Sequence, residues 1–125
     1  MTDKTFLILG GGGLVGLQIA RRIANDLTPK RIVIASLHED EVQEALNELH
    51  QMFGDKPIEF EGVSGNIFVR SDFTDKSRGE LLSEPEHREA LYTDLLGPPD
   101  AAYERSRLVE IVQTYQPDVI VDSIN

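Results

Sequence analysis

A chain of 125 residues, 40% apolar and 27% charged, has room for one modest core and suits a single domain. It contains no cysteine, which excludes disulfides, thiol catalysis and cysteine-ligated metals. Twelve basic against 22 acidic side chains leave a net charge of −10, which argues against nucleic-acid binding but not against a small anion held by backbone N–H groups. No apolar stretch approaches the roughly 18 residues of a membrane span, and MTDKTFLILGG lacks a cationic leader and a small-residue cleavage site. A cytoplasmic protein without a membrane partner is therefore expected.

In chain order, Lys4 to Leu9 (KTFLIL) is an apolar run ending in glycines, the pattern of a strand buried on both faces. Leu14, Val15, Leu17, Ile19, Ala20, Ile23, Ala24 and Leu27 recur at helical spacing, predicting a helix from about Leu14 to Leu27 that stops before Pro29. RIVIAS (Arg31 to Ser36) reads as a second strand. Glu39 to Phe53 reads as a second helix with Val42, Ala45, Leu46, Leu49 and Phe53 as its apolar stripe and Gly54 as its cap. Asn66 to Arg70 (NIFVR) is the better third strand; Ile58 to Gly62 either pairs with it through the Val63 to Asn66 turn or is a loop or strand extension. The polar stretch from Lys76 to Asp100 holds a short helix near Glu86 to Leu96, a helix runs from about Ala101 to Tyr115, and Pro117 to Asn125 is a final strand.

Strands and helices alternate as βαβαβ(α)αβ, without repeats. That order predicts an α/β fold: a doubly wound, Rossmann-like parallel sheet with helices on both faces, a three-layer αβα arrangement. The expected strand order is 3-2-1-4, the first half of such a fold. The last strand would then lie at the sheet edge while being as apolar as a central one, and exposed edges invite pairing. Either a second chain covers it, giving a homo-oligomer, or residues 1–125 are the amino-terminal part of a longer protein. The second is the expectation.

The chemistry sits in LILGGGGLVG (Leu7 to Gly16). Gly11, Gly13 and Gly16 form G-x-G-x-x-G; Gly10, Gly13 and Gly16 form G-x-x-G-x-x-G. A strand before the run, a helix after it and a second strand at the right distance are the context a dinucleotide-binding loop requires. Free N–H groups at the helix start favour a pyrophosphate, and glycine lets it approach the backbone. A phosphate-loop NTPase would need lysine after Gly16, where Leu17 stands. Gly12 looks least constrained, so alanine should be tolerated there. About 20 residues past the fingerprint an acid commonly holds the adenosine ribose; here the position is Ser36, followed by His38, Glu39 and Asp40. Ser36 and His38 are candidates to hydrogen-bond a 2′-phosphate, which tilts the cofactor towards NADP over NAD. The alternative is that Ser36 or Asp40 merely caps the second helix. In RSDFTD (Arg70 to Asp75), Asp72 is placed to accept from an adenine amino group and Phe73 to flank the ring, or the segment is an acidic turn. His38, His50 and His87 are dispersed and offer no metal-ligand spacing, and no G-x-S-x-G occurs.

Those residues resemble the short-chain dehydrogenase/reductase superfamily, particularly its extended, epimerase-like branch. Gly10, Gly11, Gly13, Leu14, Val15 and Gly16 match its glycine motif, RSDFTD is similar to its adenine-contacting acidic turn, and YQPDVIVDSIN is similar to its fourth strand, which ends beside the nicotinamide ribose. The resemblance implies NAD(P) as cofactor, bound in part by Gly10, Gly13 and Gly16 as turn, pyrophosphate approach and helix contact. It also shows departures: Leu9 stands where threonine is usual, and Ser36 replaces the acid. Tyr92, Tyr103 and Tyr115 are followed four residues later by Leu96, Arg107 and Val119, so the family's catalytic Tyr-x-x-x-Lys is missing and no catalytic residue is assigned. The implied function is the cofactor-binding domain of an NAD(P)-dependent oxidoreductase or epimerase whose small-molecule substrate meets residues beyond this chain. The alternatives are a non-catalytic redox sensor and an interaction domain that dimerises through its edge strand.

Overall fold

β1 (Thr5–Leu9) and β2 (Arg31–Ser36) form where β-branched and aliphatic residues run for five and six positions, long enough for a strand and too short for a stable helix. Both are buried on each face: Phe6, Ile8, Ile32 and Ile34 on one side, Leu7, Leu9, Val33 and Ala35 on the other. Strands of this kind belong in the middle of a parallel sheet. In the computed structural model, which describes residues 2–67, 69, 78–97, 102 and 106–124, that is where they lie. β2 pairs in parallel with β3 (Glu59–Ser64), and β1 pairs in parallel with β2 and with β4 (Val119–Asp122). The order is β3-β2-β1-β4, as the sequence predicted, so the chain forms a Rossmann-like α/β sheet with flanking helices.

Two joints fix the registers. At the start of β4, Asp118 donates its N–H to the Thr5 carbonyl and accepts from the Thr5 N–H through Oδ2, each at 2.8 Å, closing the β1–β4 ladder on both sides. At the start of β3, Glu59 N–H donates to the Lys30 carbonyl at 3.0 Å, and Phe60 then falls opposite Ile32.

α1 (Leu14–Asp26) and α2 (Glu39–Phe53) pack on the face that carries Phe6, Ile8, Ile32, Ile34 and Phe60, presenting Ala20, Ile23, Ala24, Ala45, Leu49 and Phe53. Burying side chains such as Ile34 and Leu49 contributes about 1.5–3 kcal/mol each. Arg21 on α1 pairs with Glu48 on α2 at the rim of this core. The exit of α1 is tight: Thr28 has φ +44°, and Lys56 Nζ donates to the Ala24 and Asn25 carbonyls at 3.1 Å each. A cation on the last carbonyls complements the negative end of the helix. One expectation fails at the other end, since Leu14 and Val15 are 90% and 61% exposed instead of joining the core stripe. The first turn faces away from the sheet, and the buried side begins at Gly16.

The third strand is also corrected. It is Glu59–Ser64, and the described residues of 66–70 are not in a strand. Gly62 explains the placement: a Cβ there would overlap Val42 and Leu46, so this glycine lets α2 lie close over β3.

Met1–Gly65 with Tyr115–Asn125 form one compact unit, which holds the sheet, and Asn66–Thr114 form a second. Within the second unit are α3 (Arg78–Ser83), α4 (Pro85–Leu96) and most of α5 (Arg107–Tyr115). Pro85 opens α4 at its first position, where a missing N–H costs nothing. No α4 residue is fully buried, and Tyr92, Leu95 and Leu96 are exposed. α5 covers the later part of the helix expected from about Ala101, of which residues 101 and 103–105 lie outside the described residues; Ser106 Oγ accepts from the Val109 N–H at its start. Among the described residues, no helix is long and apolar enough to cross a membrane, and no three His, Asp or Glu side chains are grouped to hold a metal.

Candidate functional site

In a sheet ordered β3-β2-β1-β4, the connections leave β1 in one direction towards β2 and return on its other side at β4. The crevice at the carboxyl ends of β1 and β4 is the topological switch point, where open α/β sheets bind their ligands. The four glycines lie at this edge, in the turn from β1 into α1.

Gly10 makes the turn. Its φ of +77° is one that a side chain would strain, and its N–H donates to the Ala35 carbonyl at 2.7 Å. Gly13 N–H then donates back to the Gly10 carbonyl at 3.0 Å, and Gly13 becomes the N-cap of α1 with an extended backbone, φ −80° and ψ 176°. The first intrahelical bond runs from Leu17 N–H to Gly13 O at 3.0 Å. No side chain caps the helix and its first turn holds no acid. The amides of Leu14, Val15 and Gly16 therefore have no intrahelical acceptor and point out of the helix start.

The glycines differ in the room they leave for a side chain. At Gly16 an added Cβ would overlap the Gly10 carbonyl oxygen and lie 2.7 Å from both Gly11 Cα and Ser123 Oγ. α1 can start this close to the loop only without a side chain there. At Gly11 it would meet Ile34 at 2.9 Å. Gly13 is different: its nearest neighbour would be Gly10 O at 3.3 Å, and beyond that the position is open. The protein itself makes the weakest demand for glycine at 13, in the middle of both registers.

Gly12 corrects an expectation. A Cβ there would stand 2.7 Å from Ser36 Oγ and 3.2 Å from Glu41 Cβ, so alanine does not fit without displacing the serine. Ser36, at the end of β2, is 8% exposed, and its Oγ accepts from the Gly12 N–H at 2.7 Å. His38 is exposed and serves as the N-cap of α2 without a side-chain cap bond. Asp72 and Phe73 lie outside the described residues.

Sequence reasoning missed Ser123. It follows β4, donates its hydroxyl to the Leu9 carbonyl at 2.6 Å, and gives that carbonyl its backbone N–H as well, at 2.9 Å. Its Oγ is also among the atoms that a Cβ on Gly10 or Gly16 would meet, at 3.1 and 2.7 Å. The only signal was a small polar residue one position past the strand. The glycine loop is thus gripped from β2 by Ser36 and from β4 by Ser123, and exposed Leu14 and Val15 stand at the helix start. Such an arrangement can hold an anion against three amides and an apolar group beside it.

Fold and loop together define a Rossmann-like α/β domain with a glycine-rich turn into a helix. No protein-family model matches the chain, and no curated protein matches it. Solved structures similar in fold include L-sorbose reductase from Gluconobacter frateurii, complexed with NADPH and L-sorbose, at 20% identity over 77% of this chain and 30% of that one, TM-score 0.46. Pen from Bacillus thuringiensis gives 19% over 97% and 38%, TM-score 0.49. The bulky-bulky ketone specific alcohol dehydrogenase from Comamonas testosteroni gives 12% over 98% and 55%, TM-score 0.48. The chain spans between about a third and about half of the length of these structures.

Proposed function

We propose that this chain is the NAD(P)-binding part of an oxidoreductase of the short-chain dehydrogenase/reductase superfamily, of the extended, epimerase-like branch. One observation carries the reading: at the switch point of a 3-2-1-4 sheet, the glycine turn delivers an uncapped, acid-free helix start whose central glycine has open space beside it. The pyrophosphate lies on the amides of Leu14, Val15 and Gly16, with Gly13 admitting it to the backbone. Leu14 and Val15 offer apolar contact beside it, and Asp72 with Phe73 take the adenine. The register favours the branch, because Gly10 holds the positive φ, Gly16 the tight contact and Gly13 the open position.

When bound, the cofactor supplies the hydride chemistry. Without Tyr-x-x-x-Lys, residues 1–125 bind it and leave acid–base catalysis to residues beyond Asn125. The lean towards NADP rests on the exposed His38 just past the end of β2. Glu39, Asp40 and Glu41, which begin α2, weigh against it. Calorimetric titration with NADH and NADPH tests both parts: binding of either supports the site, tighter NADPH supports the lean, and binding of neither overturns the reading. A Tyr-x-x-x-Lys in the continuing reading frame distinguishes the enzyme from a non-catalytic redox sensor.

A further inference from the structure

We propose that Ser36 is a positioning residue that holds the glycine loop in its binding shape through the Gly12 amide, and takes no part in choosing between NAD and NADP. This rests on the dinucleotide reading of the site and assigns one of its candidate residues a different task.

Ser36 Oγ is nearly buried and 2.7 Å from Gly12 N. The loop's other nearby acceptor is already shared, since the Ala35 carbonyl takes both Gly10 N–H, at 2.7 Å, and Gly11 N–H, at 3.3 Å. Gly12 N–H is bonded to this hydroxyl, and an unpaired amide in so enclosed a place is costly. The match is steric as well. The hydroxyl reaches the backbone only because position 12 has no Cβ, which would stand 2.7 Å from the same oxygen. An aspartate at 36 in the serine's rotamer would carry atoms past the Oγ position, into the Gly12 backbone. In that rotamer an acid would not fit, so the bond to Gly12 accounts for serine at this position without reference to a 2′-phosphate. On the far flank Ser123 performs the corresponding task, tying β4 to the Leu9 carbonyl where the loop begins.

A positioning role has a signature that a ribose contact lacks. Ser36→Ala frees the loop equally for both cofactors, so NADH and NADPH affinities fall by the same factor, about fivefold for one lost hydrogen bond, and their ratio is unchanged. Gly12→Ala, harmful in the wild type because its Cβ meets the hydroxyl, becomes milder in the Ser36→Ala background. That coupling is read in both affinity and urea unfolding. Amide exchange should show Gly12 losing protection in Ser36→Ala while Ile34, in the middle of β2, keeps its own. A change in the NADPH-to-NADH ratio beyond about threefold, additive Gly12 and Ser36 effects, or an unchanged Gly12 exchange rate would overturn the proposal. Wild-type protein that binds neither dinucleotide would overturn the underlying reading instead, and the exchange and unfolding results would still report whether the hydroxyl holds the loop.

Discussion

α1 and α2 begin at the same edge of the sheet, each just after a strand ends, and each has an extended N-cap residue without a side-chain cap bond. They treat their positive ends in opposite ways. α2 places Glu39, Asp40 and Glu41 in its first turn, and Asp40 Oδ1 accepts from the Glu41 N–H at 3.0 Å. α1 has no acid there and shows Leu14 and Val15 to solvent. Carboxylates at a helix start stabilise it by about 0.3–1 kcal/mol each, so α1 forgoes stability that its neighbour takes. A chain that is acidic overall has supplied acids freely elsewhere. Under the proposed reading, the external anion sits at the helix start that the protein has not neutralised for itself.

The largest way to break the contrast is to stop α1 from reaching its place. Gly16→Ala puts a Cβ into the Gly10 carbonyl and against Gly11 and Ser123, all within the loop. It should destabilise the fold by about 3 kcal/mol, seen as a lower urea midpoint. Gly13→Leu separates binding from folding. Its φ of −80° suits any residue and a Cβ there would meet only Gly10 O, at 3.3 Å, so the urea midpoint should fall only slightly, by about 1 kcal/mol or less for leucine at the N-cap. The side chain would occupy the space assigned to the pyrophosphate and cost about a hundredfold in dinucleotide affinity, or about 2.8 kcal/mol. Unchanged affinity would show that the loop does not carry the phosphates.

Much of this was legible beforehand, and the failures share a cause. α2 was predicted to the residue because five apolar positions at helical spacing leave little choice. The strand order followed from alternation and the apolar character of β1, β2 and β4. What was lost depended on which atoms meet across elements. Asn66 to Arg70 has the better strand composition, yet Glu59–Ser64 wins because Phe60 reaches the core and Gly62 admits α2. Leu14 and Val15 fit the helical period, which cannot tell a core stripe from an exposed first turn. Gly12 looked free because the letters do not show that Ser36, 24 positions on, points at it.

A smaller perturbation turns α1 into a copy of α2. Leu14 is 90% exposed, so Leu14→Asp loses almost no packing. An acid in the first turn should stabilise the helix by about 0.5 kcal/mol. It should also repel the cofactor's phosphates and weaken binding about fivefold, with Leu14→Ala as the control for lost apolar contact. Stability and affinity then move in opposite directions. If both fell together, the helix start would be an ordinary structural terminus.

The smallest effect comes from the converse change, the combined Glu39→Gln, Asp40→Asn and Glu41→Gln. These side chains are exposed at the end of β2, where the adenosine ribose of a switch-point dinucleotide lies. Removing them should cost α2 about 1 kcal/mol. It should raise NADPH affinity relative to NADH about threefold at low salt, because only NADPH brings a 2′-phosphate near them. In 1 M salt, where the Debye length is about 3 Å, both the gain and the loss in α2 stability should largely vanish, since the substituted amides still accept hydrogen bonds and only charge has been removed. A ratio that stays constant at every salt concentration would place the ribose away from α2, and would leave the uncapped start of α1 as the sole electrostatic determinant of binding.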